Sequence, residues 1–264
     1  MSNGDIIVLG CGNSTGVPAI GNYWGKCDPA NPKNARTRSS IFIKYKDTSI
    51  VIDTGPDFRT QINREDINHL DGAFYTHAHS DHVNGIDELR LIKYRNEKMV
   101  PFFSDLETLE DLRHRFPYLF NGWQSNLYPP VLEPHVMDED AFGNTQQFMD
   151  IEFIPFVQDH GTVDSVGYRF GDFAYSVDMV DLDDKAIETL KGVKTWLVDA
   201  AGYNYTENKV HAHLQKIYDL NAQIGAQEVY LTSLTLAMDY KTLCEELEEG
   251  YKPAYDGLKL SFTA

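Results

Sequence analysis

Cysteine is scarce in this chain. Its 264 residues hold three, Cys11, Cys27 and Cys244, an odd number at wide spacing. That excludes a disulfide framework and makes a reducing cytoplasm the expected compartment. Long apolar runs are lacking too: no stretch approaches the roughly 18 residues that a membrane span requires. Met1–Asp5 opens without the basic segment and apolar stretch of a signal peptide. Positive charge is in short supply. Lys and Arg total 23 against 40 Asp and Glu, a net charge of −17, so neither nucleic acid nor membrane is an expected partner, although a local basic pocket for one phosphate stays open. Gly and Pro are few enough, and charge ordinary enough at 24%, to exclude a collagen-like or disordered chain. No repeat, linker or low-complexity tract divides the sequence. One domain over 1–264 is expected, long enough to bury a sizeable core.

What is present is an alternation of apolar runs and helical patterns. Ile6–Leu9 reads as a buried strand running into the Gly-rich loop Gly10–Gly16, and 21–38 reads as a long ordered loop. Ser40–Tyr45 and Ser49–Ile52 read as a hairpin, followed by a short helix over Phe58–Arg64. Further strands are expected at Ala73–Tyr75, Val100–Phe103, Ile151–Phe156, Val166–Phe170, Phe173–Ser176, Thr195–Val198 and Glu228–Leu231. Helical spacing marks Ile86–Tyr94, Leu106–Arg115, Asp183–Leu190, Ala212–Ile224 and Lys241–Glu248. Residues 117–150 carry little periodicity and six aromatics, among them Tyr118, Phe120, Trp123, Tyr128 and Phe142. They are expected as an insertion near the active-site face. The mixture argues for a layered α/β domain with sheets inside and helices outside.

The chemistry concentrates in His77-Ala78-His79-Ser80-Asp81-His82, directly after a strand. Side chains two apart at a strand end share a face, so His77 and His79 point the same way, and the turn that follows can swing Asp81 and His82 toward a second point. Imidazole and carboxylate suit zinc, and equally manganese or iron. Asp53, His160 and Asp178 stand at similar strand ends. Each alone reads as a cap or a satisfied polar group; their order relative to the histidine cluster raises their weight.

Asp53-Thr54-Gly55, His77-x-His79-x-Asp81-His82, His160 and Asp178, in that order, resemble the metallo-β-lactamase superfamily. The resemblance narrows through Gly10–Pro18, Arg36–Ser40, Asp53–Arg59, Gly85–Arg90 and Pro253–Gly257 to the phosphoribosyl 1,2-cyclic phosphate phosphodiesterase (PhnP-like) branch. It implies an αββα sandwich of two mixed β-sheets flanked by helices, with a dinuclear site at one edge. It implies two divalent ions, Zn²⁺ or Mn²⁺: His77, His79 and His160 on the first, Asp81 and His82 on the second, and Asp178 bridging. Asp53 is the structural residue that orients the loop. Asp81 and His211 are the catalytic candidates, with His211 as the acid that protonates the departing oxygen. Arg59 and His211 are candidates for substrate contact, as is Arg38. The resemblance also hints at a homodimer.

Two departures from the branch pattern carry expectations of their own. Ser233 stands where the branch places a further metal-ligand histidine, so the second ion is expected to bind more weakly, with His213 the candidate to stand in. Only Cys27 remains of the cysteines that hold a structural zinc in the early loop. No structural zinc is therefore expected, with Trp24, Pro29 and Pro32 holding the loop instead. The expected activity is hydrolysis of a small, in one form cyclic-ribose, phosphate diester by metal-bound hydroxide. A thioester, lactone or lactam hydrolase of the same fold, and a weakened binding or accessory protein, stay open beside it. Transfer-RNA processing of the ribonuclease Z kind is disfavoured by the absence of a basic arm.

Overall fold

The computed structural model describes residues 3–122 and 127–264; Trp123 lies outside them. Two seven-stranded sheets face each other. The first takes β1 (Asn3–Gly10), β2 (Ser40–Tyr45), β3 (Thr48–Ile52), β4 (Gly72–Phe74), β5 (Val100–Ser104) and β6 (Leu132–Val136), and is closed on the other side of β1 by the C-terminal strand β14 (Leu258–Thr263). The second takes β7 (Gln146–Phe148), β8 (Ile151–Asp159), β9 (Asp164–Phe170), β10 (Phe173–Ser176), β11 (Thr195–Asp199), β12 (Glu228–Thr232) and β13 (Tyr251–Pro253). Each sheet is mixed. Strands β3 to β6 run parallel, as do β10 to β13, and the remaining pairs are antiparallel.

Both faces of the first sheet are covered, which is why its strands read as nearly unbroken apolar runs. Alternation sorts the side chains: Ile41, Ile43, Ile50 and Ile52 join the core between the sheets, while Phe42 and Val51 face the helices. Outside that sheet lie α1 (Phe58–Arg64), α3 (Leu89–Asn96), α4 (Leu106–Arg115) and α5 (Pro117–Asn121), packed through residues such as Phe58, Leu89, Leu112 and Leu119. The one-turn helix α2 (Ser80–Val83) sits at the sheet edge. Helices α6 (Asp184–Leu190), α7 (Leu214–Ile224) and α8 (Tyr240–Glu246) belong to the second sheet through Leu190, Ile217 and Leu243. Between the sheets, Phe74 stacks on Phe103 at 4.4 Å and meets Phe153 edge-on at 5.0 Å. The layers are also tied by hydrogen bonds: Tyr168 Oη donates to the Tyr75 carbonyl at 2.6 Å and the Val166 amide to the Thr76 carbonyl at 2.8 Å. This is the αββα sandwich.

Two differences from the sequence reading have local causes. The segment 117–150 supplies α5 and the outer strand of each sheet, β6 and β7. Pro134 within β6 suits an edge position, where one missing ladder donor is tolerated. The 21–38 loop is held less by Trp24 and the prolines than by a buried arginine. Arg36 is 2% exposed; its guanidinium donates to the carbonyls of Met238 at 2.7 Å and Thr235 at 3.3 Å and to Asn34 Oδ1 at 3.0 Å. Asn34 in turn donates to Asp239 Oδ2 at 2.6 Å. The loop is thereby pinned to the segment before α8, with no cluster of cysteines needed.

Phe74→Ala should remove about 3–5 kcal/mol of stability, because it opens a cavity inside an interlocked aromatic group. Chemical denaturation monitored by circular dichroism measures it, and a loss under about 1 kcal/mol would mean that the sheets are not packed through this group.

Candidate metal centre

The parallel halves of both sheets end on the same edge, and the chemistry-bearing residues follow their last strand residues. Asp53 follows β3, His77 lies just past β4, His160 follows β8, Asp178 lies two residues past β10, Asp199 ends β11 and Ser233 follows β12. Ligand crevices of layered α/β sheets form at such carboxyl ends. Three of these residues are non-glycines in the left-handed region, at φ 65° for Asp53, 49° for Asp178 and 55° for Ser233. Asp tolerates that conformation better than most residues; for Ser233 it is strain of roughly 1–3 kcal/mol, of a kind that gathers at functional sites.

The loop after β4 is built on Asp53, which is fully buried. Its Oδ1 accepts from the Thr76 amide at 2.9 Å, and its Oδ2 accepts from Thr76 Oγ1 at 2.8 Å and lies 2.7 Å from His82 Nδ1. Gly55 lets the neighbouring loop close over this arrangement: a Cβ there would stand 2.1 Å from the Asp81 carbonyl oxygen.

The imidazoles are aimed by the same device. His77 Nδ1 contacts Thr76 Oγ1 at 3.0 Å, His82 Nδ1 contacts Asp53, and His160 Nδ1 donates to the Val210 carbonyl at 2.6 Å. Each Nε2 is left to face inward, where Asp178 Oδ2 lies 3.7 Å from His77, 3.3 Å from His82 and 3.5 Å from His160. Three donor groups share Asp178, each with its ligating atoms within 4.8 Å of one another: His77, His79, His160 and Asp178; Asp81, His82 and Asp178; and Asp178, Asp199 and His211, in which Asp199 already pairs with His211. His77 Nε2 is buried with no hydrogen-bond partner among the described residues. An orphaned buried nitrogen is costly unless something else is meant to meet it, and a cluster of imidazole and carboxylate donors held by fixed outer partners fits a divalent cation.

The electrostatics are uneven. Burial, then the neighbouring His82, pushes the His77 imidazole well below its ordinary value. Burial opposes charge on His82 as well, but Asp178 and Asp53 override it and raise that imidazole well above its usual range. Burial would raise Asp178, yet His82 and then His77 hold it well below the carboxylate range. The cluster is thus set to hold Asp178 ionised.

His211 stands beside this cluster, its ring 5.3 Å from that of His160, and its Nδ1 is 2.7 Å from Asp199 Oδ2. Asp199 was not singled out from sequence. Its one signal was its place at a strand end, shared with many residues. Burial alone would lower His211; the fully buried Asp199 carboxylate outweighs it and raises the imidazole to about 9. Ser233 lies inside the site, its hydroxyl 3.5 Å from Asp178 Oδ1 and 3.3 Å from Ser39 Oγ. His213 does not stand in for the missing histidine: it caps α7, accepting from the Lys216 amide at 3.3 Å through Nδ1. Arg59 is exposed on α1 and forms no hydrogen bond or ion pair among the described residues, and Arg38 is turned onto Asp57 at 2.9 Å.

A histidine–aspartate cluster at the edge of an αββα sandwich defines the metallo-β-lactamase-fold hydrolases. The chain belongs to that superfamily: the family described as "Beta-lactamase superfamily domain" matches residues 48–232. Within it the chain falls in the PhnP-like branch, being similar over 99% of its length to the crystal structure of a diphosphatase of the PhnP family, with 30% identity, a TM-score of 0.86 and 98% of that chain covered. It is also 33% identical over 257 residues to an octanoyltransferase of Porphyromonas gingivalis, covering 96% of this chain and 50% of that protein. A ribonuclease Z of Thermococcus kodakarensis is 27% identical over 142 residues, covering 53% of this chain and 42% of that one. The chain therefore spans half or less of the length of these two relatives.

In chelated protein, Asp199→Asn should bring the His211 titration from about 9 to near or below the ordinary imidazole value of about 6.5. A raised folded-state value stabilises the protein fully below the unfolded value, and that contribution fades as the pH rises through 9. The variant should lack this fading. NMR of the imidazole protons reads the first effect, and an unchanged titration would detach His211 from Asp199.

Proposed function

We propose that the protein is a metal-dependent phosphodiesterase acting on a small phosphate diester. The observation that carries the reading is the His211–Asp199 pair beside the donor cluster, because expulsion of an alkoxide from phosphorus needs a proton delivered at the leaving oxygen. Similarity to the PhnP-family diphosphatase supports hydrolysis at phosphorus, though a diphosphatase expels a phosphate and a diesterase an alkoxide.

In this reading His77, His79 and His160 would hold one ion, Asp81 and His82 a second, and Asp178 would be shared by both; zinc or manganese suits the donors. The chemistry such ions would supply there is a more acidic water and positive charge against the phosphoryl oxygens. The chain's residues do the rest. Asp53 fixes the ring of His82, Thr76 that of His77 and the Val210 carbonyl that of His160. Asp199 holds the Nδ1 proton of His211, leaving Nε2 to protonate the departing oxygen. Early-loop cysteines take no part: Cys27 is buried against the Thr235 and Leu236 carbonyls. The octanoyltransferase activity belongs to a protein twice as long, half of it outside the match, and is not carried over.

The group around His77 has three imidazoles and the group around His82 has one. Elemental analysis of protein titrated with Zn²⁺ should show one tight and one weaker equivalent, and Ser233→His should tighten the second. Two equivalents of equal affinity in the parent chain would remove any cost from the serine. His211→Ala should lower kcat on an unactivated diester about 10²–10⁴-fold and far less on a p-nitrophenyl diester, whose leaving group needs no proton. Metal-replete protein that hydrolyses thioesters or lactones but no diester would replace the reading.

A further inference from the structure

The groove beside the metal centre carries a charge that a phosphate does not call for. A cavity of about 350 Å³ opens on His77 and His79, walled by Asp105, which caps α4, by Glu107, Asp111 and Arg115 along that helix, and by Asp164 at the start of β9. Four carboxylates thus face one guanidinium, and that guanidinium is engaged. Arg115 donates to the Ala78 carbonyl at 2.6 Å, to Asp111 at 3.0 Å and to Asn84 Oδ1 at 2.9 Å. Asp105 accepts from the Thr108 amide at 2.8 Å. Glu107 and Asp164 form no ion pair among the described residues. The crowding is felt: burial, then Asp159 and Asp105, raises the Asp164 carboxyl. The floor of the groove is His77, whose buried Nε2 has no hydrogen-bond partner among the described residues. The carboxylates of Asp81 and Asp178 already lie among the metal-ligating atoms, so those of the outer wall face whatever extends from the bound phosphate.

Resting on the phosphodiesterase reading for the phosphate itself, we propose that this groove selects the organic part of the substrate by charge, taking an alcohol that bears a primary ammonium group and rejecting one that bears a second anion. An ammonium presents three N–H donors to carboxylates that lack partners. Among the described residues no Phe, Tyr or Trp lines the groove, so recognition is by hydrogen bonding and charge rather than by an aromatic cage.

Calorimetric titration of Zn²⁺-loaded protein with three monoesters of matched size tests it: O-phosphoethanolamine, n-propyl phosphate and 3-phosphooxypropanoate. The ammonium ester should bind about tenfold tighter than the propyl ester and the carboxylate ester weakest, with the spread narrowing in high salt. The Glu107→Gln/Asp164→Asn double variant should compress the spread to about threefold or less; both side chains are exposed, and thermal denaturation confirms that the variant folds. Equal affinities, tightest binding of the carboxylate ester, a spread untouched in the variant, or no binding by any ester would overturn the proposal. Turnover of 2-aminoethyl and propyl p-nitrophenyl phosphates separates the two readings. The ammonium preference in binding without hydrolysis of either diester overturns the phosphodiesterase and upholds charge selection; hydrolysis of both at equal kcat/KM overturns charge selection alone.

Discussion

The carboxylate of Asp178 is where the two sheets are held to account with each other. It arrives from the second sheet and sets one oxygen within 3.3 to 3.7 Å of nitrogens on His77 and His82, from the first sheet, and His160, from the second. A buried carboxylate in that position is unstable unless positive charge is fixed around it. The cross-sheet hydrogen bonds from Tyr168 and Val166 hold the layers in the register this convergence needs. A one-residue slip of a strand within its own sheet would turn that strand's inward side chains outward and separate the donors.

Support for that convergence is spread over residues that never reach the centre. Asp53 holds Thr76 and His82, the Val210 carbonyl holds His160, and Arg36 ties the early loop to the segment between Ser233 and α8. These outer contacts decide which ring nitrogen faces inward, and a metal site depends on them nearly as much as on its ligands. The backbone strain at Asp53, Asp178 and Ser233 has the same origin: a strand must stop and turn within one residue to aim a side chain across the gap. The rigid aromatic core beneath makes such turns sustainable.

The site is also electrically divided. On one side the His211–Asp199 pair holds a proton; on the other, a groove of carboxylates faces solvent beside His79. A net charge of −17 says nothing of that division, since it averages over the whole surface. Only placement turns ordinary acidic residues of α4 and β9 into one wall.

The sequence by itself determined the central strands, most helices and the cluster of candidate ligands. Apolar alternation, β-branched runs and helical spacing are local signals, and His77-x-His79-x-Asp81-His82 places four donors within six residues. Even the helices Phe58–Arg64 and Leu106–Arg115 were legible to their ends. Tertiary structure alone decided what depends on distance in sequence. Strand β14 exists because it pairs with β1 from the far end of the chain, and β6, β7 and β13 are short edge strands with no periodicity of their own. Asp199 gained its role by lying under His211, His213 lost one by capping α7, and Arg36 proved to be a buried clamp. Each of these turns on which partner a polar group meets after folding, and residue type and spacing do not encode that when the partner lies on another strand or loop.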